Sequence, residues 1–167
     1  MVALIFSGCE GKKKNVTTGE TAPLFSALDI TGKSVRLDQL KGNIVVVYFW
    51  QNSCCADSLK LVEPLYRKNS QKDLVILAVN VGDTKEVVTS YTKNNGLTFK
   101  MLTDENGSIF KQYQAFGFPT IFIIDKNGVI REKILGNIQT DKLEKLIQRQ
   151  IDIQKEAEAS YNKNHPR

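Results

Sequence analysis

Three cysteines carry most of the chemistry open to this 167-residue chain. Cys54 and Cys55 are adjacent, and Asp57 follows two residues later. Neighbouring thiols can exchange with a disulfide, close on each other, or hold a soft metal ion such as Cu(I). A carboxylate so close can relay a proton or oppose the thiolate. The third thiol, Cys9, stands alone behind an apolar stretch, and the one histidine, His165, lies in a polar C-terminal segment. An odd cysteine count excludes a small disulfide scaffold, and a lone histidine leaves no Cys/His zinc site. No metal ligand and no cofactor is assigned on these residues.

The surrounding pattern must hold the pair in place. Ile44–Trp50 is a continuous β-branched and aromatic run, as in a strand buried on both faces. A helix is predicted over Ala56–Lys68, which sets Cys54 at a strand-to-helix corner where the N-terminal end of the helix dipole favours thiolate. Ser53 is a candidate cap, and Asp57 can be read simply as an acid in the first turn. Leu74–Val81 reads as a second buried strand, followed by a helix over Thr84–Asn94, a strand over Thr98–Leu102 and a helix over Glu105–Tyr113. Thr120–Asp125 and Val129–Leu135 form a hairpin across Asn127-Gly128, and a smaller hairpin, Leu28–Ile30 with Ser34–Leu37, precedes the whole. A last helix is expected from Thr140. Parallel strands need crossover helices, so this order implies an α/β fold with a mixed sheet and helices on both faces.

The formal charge of +5 does not point to nucleic acid. Residues 22–158 hold 18 basic and 16 acidic side chains, and the two signs alternate along every polar stretch instead of forming a basic stripe. No apolar run reaches the roughly 18–20 residues of a membrane-spanning helix.

Phe49-Trp50, then Cys54, and far downstream Gly117-Phe118-Pro119-Thr120 before a strand resemble the thioredoxin-like fold. The resemblance is to the TlpA/ResA-type thiol–disulfide oxidoreductases of the redoxin (AhpC/TSA) grouping. It takes in Ala22-Pro23-Leu24-Phe25 and Ile76–Gly82 and spans about residues 22–150. It implies a central mixed sheet with an N-terminal β-hairpin and a central strand–helix insertion. It also implies a cis Pro119 facing the active thiol, with the backbone of Phe118 free to pair with a bound peptide. Tyr48, Phe49 and Trp50 read first as packing residues, with Trp50 the best candidate of the three to line the site. Family members carry Cys-x-x-Cys. Aligned on Trp50, this chain has Cys54 in the first position and Asp57 in the second, so the ordinary resolving thiol is replaced by an acid. The family's helical glutamate falls on Lys60, with Glu63 a turn beyond, and that role is not carried over.

Four mechanisms fit the Cys-Cys-x-Asp site: a vicinal Cys54–Cys55 disulfide, Cys54 acting alone with an external thiol, a thiophilic metal held by both, or a fold kept for binding only. A thiol-dependent peroxidase lacks the Thr and Pro such enzymes place upstream of the reactive Cys, since positions 51 and 47 are Gln and Val.

Residues 1–9 end in two small residues before Cys9, and a polar stretch follows. This resembles the end of a bacterial lipoprotein signal, which implies a lipidated Cys9 and a tether; the plain alternative is an incidental cysteine in an unstructured start. The chain is thus divided into an anchor and tether (1–21), a thioredoxin-like domain (22–158) and a polar tail (159–167). It is expected to be an envelope-facing, lipid-anchored, monomeric thiol–disulfide oxidoreductase on the periplasmic or extracytoplasmic side. Cys54 and Cys55 are its reactive thiols, with Asp57 beside them. Trp50, Phe118 and Pro119 are expected to contact substrate. Its partners would be protein thiols or disulfides and an external reductant. A non-catalytic binding or metallochaperone module is the alternative.

Overall fold

The computed structural model describes residues 16–69 and 73–165. Among them seven strands and five α-helices, with a short 3-10 turn at Leu37–Leu40, follow in the order β1 (Ser26–Leu28), β2 (Ser34–Arg36), β3 (Ile44–Trp50), α1 (Asn52–Lys60), α2 (Glu63–Asn69), β4 (Leu74–Val81), α3 (Lys85–Asn94), β5 (Lys100–Asp104), α4 (Ser108–Gln112), β6 (Thr120–Ile124), β7 (Ile130–Leu135) and α5 (Thr140–Asn164). β1 and β2 pair as a separate hairpin, and the main sheet has the order β5-β4-β3-β6-β7. β3, β4 and β5 run parallel, whereas β6 is antiparallel to β3 and β7 antiparallel to β6.

All seven residues of β3 are buried. Alternation of side chains along a strand sends them to two different cores. Ile44, Val46, Tyr48 and Trp50 pack with Leu59, Val62, Leu65, Val88, Leu143 and Ile147 of the helices on one face. Val45, Val47 and Phe49 pack on the other with Val16, Phe25, Val35, Ile109 and Tyr113. The strand-like run at 44–50 therefore describes an element with no solvent face.

Three helix boundaries depart from expectation, and β1 and β5 each lie two residues from their expected ranges. The helix predicted over 56–68 starts at Asn52 and splits into α1 and α2 around Leu61–Val62. Pro64 has no N–H to give to Lys60, and it is tolerated only in the first turn of a new helix. α4 starts at Ser108 because Gly107 sits at φ 68° and the Asp104 carboxylate accepts from Ser108 Oγ and from the N–H of Ile109 and Phe110. α5 continues through Asn164, so the polar segment expected as a tail from 159 is helical to that point, with exposed side chains throughout.

At the other end, Val16–Thr21 belongs to the folded body and not to a free tether. Val16 is buried, its N–H donates to Gln114 Oε1, and Gly19 N–H and Ile130 N–H bond to Ile130 O and Glu20 O. Cys9 lies outside the described residues. Among the described residues no helix is long and apolar enough to cross a membrane.

Glu63 ties α2 to the chain entering β5. Its buried carboxylate accepts from Thr98 N–H at 2.8 Å, Thr98 Oγ1 at 2.6 Å and Arg67 Nε at 2.6 Å. Burial raises its pKa, but the bonds from Thr98 and Arg67 outweigh burial and hold it below 4.5. A carboxylate with a depressed folded pKa stabilises the fold above its ordinary value and loses that contribution as pH falls through the depressed one. Glu63→Ala should therefore cost about 1–2 kcal/mol in urea unfolding at neutral pH, with the difference from wild type narrowing as pH drops below about 4.

Candidate active site

The register of the sheet brings four chain segments to one edge. β3 ends at Trp50 opposite Asn80 of β4, and Phe49 lies opposite Thr120, so Pro119 enters β6 beside the end of β3. The Phe118–Pro119 bond is cis. Outside the carboxyl ends of parallel strands is where an open α/β sheet can build a site. Here α1 starts at that edge, and its first residues are Asn52, Ser53 and Cys54.

The two thiols are unequal. Cys54 is exposed and Cys55 is buried, both are free, and their sulfurs are 2.9 Å apart. The contact is possible because Cys55 leaves helical geometry at φ −139°, ψ 16°, which kinks α1 between its first turn and the rest. Gln51 receives both: its carbonyl accepts from Cys54 Sγ at 3.9 Å and Cys55 Sγ at 3.5 Å, and its N–H donates to Cys55 Sγ at 3.4 Å. Burial, and after it the contact with Cys54, pushes the Cys55 thiol up to about 12 against the bond from Gln51. Cys55 is therefore a protonated thiol at neutral pH, with its sulfur against the one that solvent can reach.

Asp57 is not a first-turn acid, because α1 begins five residues before it. Its side chain is 95% exposed and pairs with Lys60 at 2.7 Å, and that bond holds its carboxyl below the usual range. Among the described residues Asp57 makes no hydrogen bond to either thiol. Ser53 does not cap α1; the residue before the helix is Gln51, with no side-chain cap bond. The first N–H of the helix, Asn52 N, instead donates to Asp83 Oδ2 at 2.9 Å.

Trp50 does not line the site. It is fully buried, with its ring 4.9 Å from that of Tyr91 on α3, and its indole N–H has no acceptor among the described residues. Tyr91 in turn donates to the carbonyl of Ala56 and so braces α1 from the side. Tyr48 lies beneath Cys55 and donates to Ser58 Oγ. Burial raises both phenols to about 12, so neither carries charge near neutral pH. Phe118 is half-buried and stacks on Phe110 at 4.6 Å, while Phe116 (78% exposed) and Leu135 (51% exposed) leave apolar surface beside the Pro119 loop.

Gln51, Asp83 and Tyr91 were not visible as site residues in the sequence. The one available signal for Asp83 was its place in Asn80-Val81-Gly82-Asp83, at the carboxyl end of the second parallel strand. Among the described residues no group of three or more His, Cys, Asp and Glu side chains gathers around a possible metal position.

The model of the AhpC/TSA family matches residues 18–133. Thiol-disulfide oxidoreductase ResA of Bacillus cereus is 31% identical over 147 residues, which cover 87% of this chain and 85% of the relative. ResA of Geobacillus kaustophilus is 32% identical over 143 residues, covering 84% and 82%. Among solved structures, the thioredoxin domain of a thiol-disulfide oxidoreductase from Bacteroides vulgatus superposes with a TM-score of 0.68 at 25% identity, covering 78% of this chain and 98% of that one. A thioredoxin-family thiol:disulfide interchange protein from Chlorobium tepidum has a TM-score of 0.72 at 21% identity, covering 81% and 98%, and shares the fold. The central mixed sheet with helices and an N-terminal hairpin is thus a thioredoxin-like fold.

The unequal burial of the thiols gives a direct expectation. Under native conditions iodoacetamide should label Cys54 at least about tenfold faster than Cys55, and unfolding should equalise the two. Fragment-ion sequencing of the labelled peptide separates the adjacent sites, and equal native labelling would contradict the burial described.

Proposed function

This chain belongs to the AhpC/TSA family, and on that premise we propose that it is a thiol–disulfide oxidoreductase of the cell envelope, acting through Cys54 with Cys55 in place of Cys-x-x-Cys. The observation that carries the reading is the pair itself: an exposed and a buried free thiol, in contact, at the start of α1. The curated ResA relatives, which the chain matches over most of both lengths, support the same reaction class.

The exchange is written in two steps. The Cys54 thiolate attacks one sulfur of a substrate disulfide, the substrate S–S bond breaks, and one substrate thiolate leaves to take a proton. Cys55 then gives up its proton and attacks Cys54 Sγ, the mixed disulfide breaks, and the second substrate thiol leaves. Two electrons pass to the substrate and a Cys54–Cys55 disulfide remains, to be reduced by an external dithiol. The small ring closed by adjacent cysteines makes this disulfide readily reducible, and the same steps in reverse oxidise a substrate dithiol. The high pKa of Cys55 makes the second step the slower one near neutral pH.

Phe118 and Pro119 are proposed to receive the substrate backbone, with Phe116 and Leu135 offering apolar contact beside them. Asp57, being exposed and paired with Lys60, serves at most as a proton carrier reached through solvent. A metallochaperone role finds no third ligand among the described residues. Envelope location and a lipid on Cys9 belong to the same proposal. A fold neighbour of 18% identity is described as a secreted disulfide oxidoreductase of Mycobacterium tuberculosis, and Cys9 follows the small residues Ser7-Gly8 as in a lipoprotein signal. On this reading the protein works as an anchored monomer.

Cys54→Ser should abolish exchange with a model disulfide, and retained turnover would remove Cys54 from this role. Oxidised wild type should weigh about two mass units less than reduced protein, with the loss mapped to the peptide holding 54 and 55. Cells expressing the protein from its native start should incorporate labelled fatty acid, and Cys9→Ser should lose both the label and the membrane-bound fraction.

A further inference from the structure

α1 has an unusual terminus for a helix that presents a reactive thiol. A helix N-terminus attracts negative charge and its free N–H groups can be satisfied by the residue before it. Here the preceding residue, Gln51, turns its side chain away to Val81 O at 3.1 Å. The N–H of Asn52 is taken by the carboxylate of Asp83, which comes from the loop after β4.

Asp83 is held in place from its own strand. The same Oδ2 accepts from Asn80 Nδ2 at 2.8 Å, and Asp83 N–H donates to Asn80 Oδ1 at 3.1 Å. Asn80 is fully buried at the end of β4, so the reciprocal pair fixes the carboxylate to the sheet. The loop at Gly82 lies close enough to Gln51 that a Cβ there would meet its amide nitrogen at 3.5 Å. Among the described residues no lysine or arginine pairs with Asp83, and its half-buried carboxylate bonds Asn52, two residues before Cys54.

We infer that Asp83 is a positioning residue for the thiol pair: it anchors the first turn of α1 to β4 and sets a fixed negative charge, unpaired among the described residues, against the thiolate form of Cys55. The inference rests on the proposed thiol chemistry for its importance. The other groups that face the pair do not supply that charge. Tyr48 of β3 and Tyr91 of α3 are neutral near pH 7, Asp57 is cancelled by Lys60 on α1, and Ala115–Pro119 carries no titratable side chain. Asp83 also raises the pKa of Cys55, as a smaller cause behind burial and the contact with Cys54, while the bond from Gln51 acts in the opposite direction. The consequence is a restrained thiol pair: the helix end draws negative charge toward the sulfurs, and Asp83 takes back part of that attraction.

The test removes the charge while keeping an acceptor for Asn52 N–H. In the full chain, Asp83→Asn and Asp83→Ser should each lower the pH midpoint of thiolate formation, followed by thiolate ultraviolet absorbance, by about half to one unit. The rate of alkylation by iodoacetamide at pH 7 should rise about three- to tenfold in both, and high salt should shrink the difference from wild type. Asp83→Glu should return the profile toward wild type. Unchanged profiles in the Asn and Ser variants, or a shift confined to Asp83→Ala, would overturn the inference and leave Asp83 a structural cap. The Ser variant serves if the Asn variant does not fold. These readouts need no substrate, so they stand apart from the exchange assay of Cys54→Ser, whose failure would instead overturn the functional reading.

Discussion

Strand β3 is hydrogen-bonded along both edges and buried on both faces, and everything at the site depends on where it stops. Its parallel partner β4 and antiparallel partner β6 are fixed to it residue by residue, Trp50 opposite Asn80 and Phe49 opposite Thr120. A one-residue slip would exchange the two cores, because even and odd residues of β3 serve different faces. The register is therefore held by the whole hydrophobic interior. That same register delivers Cys54, Asp83 and the cis Pro119 to one edge, although they lie far apart in the chain.

At that edge the local chemistry is a matter of unequal neighbours. Solvent reaches one sulfur while apolar packing surrounds the other, and burial raises the pKa of the inner thiol, Cys55. The non-helical turn at Cys55 makes this possible, since a regular helix would point adjacent side chains roughly 100° apart. Gln51 then holds the backbone around both.

Much of this was legible in the chain itself. β3 and β4 are read at their observed bounds because unbroken β-branched runs mark strands without a solvent face. Asn127-Gly128 announces the turn between β6 and β7, with Gly128 in the left-handed region at φ 85°. Other features depended on partners distant in sequence. Asp83 caps a helix 31 residues before it, which no local propensity encodes. Asp57 looks like a first-turn acid only if α1 begins late, and the early start follows from that distant cap. Trp50 shares the parity of Ile44, Val46 and Tyr48, so alternation alone would have sent it inward, against the expectation that it lines the site. The break at Pro64 is a local signal of a standard kind, outweighed in the reading by the helical spacing of Leu59, Val62, Leu65 and Tyr66.

Trp50 is the only tryptophan in the chain, and it shares a packed cluster with Cys55 and Tyr91. Its indole is shielded from water and its N–H has no acceptor among the described residues, so its emission belongs at the blue end of the range and comes from a single environment. The buried thiol of Cys55 packs in the same cluster as this fluorophore. The protein thus carries an optical probe of the surroundings of its thiol pair, with no second indole to dilute the signal.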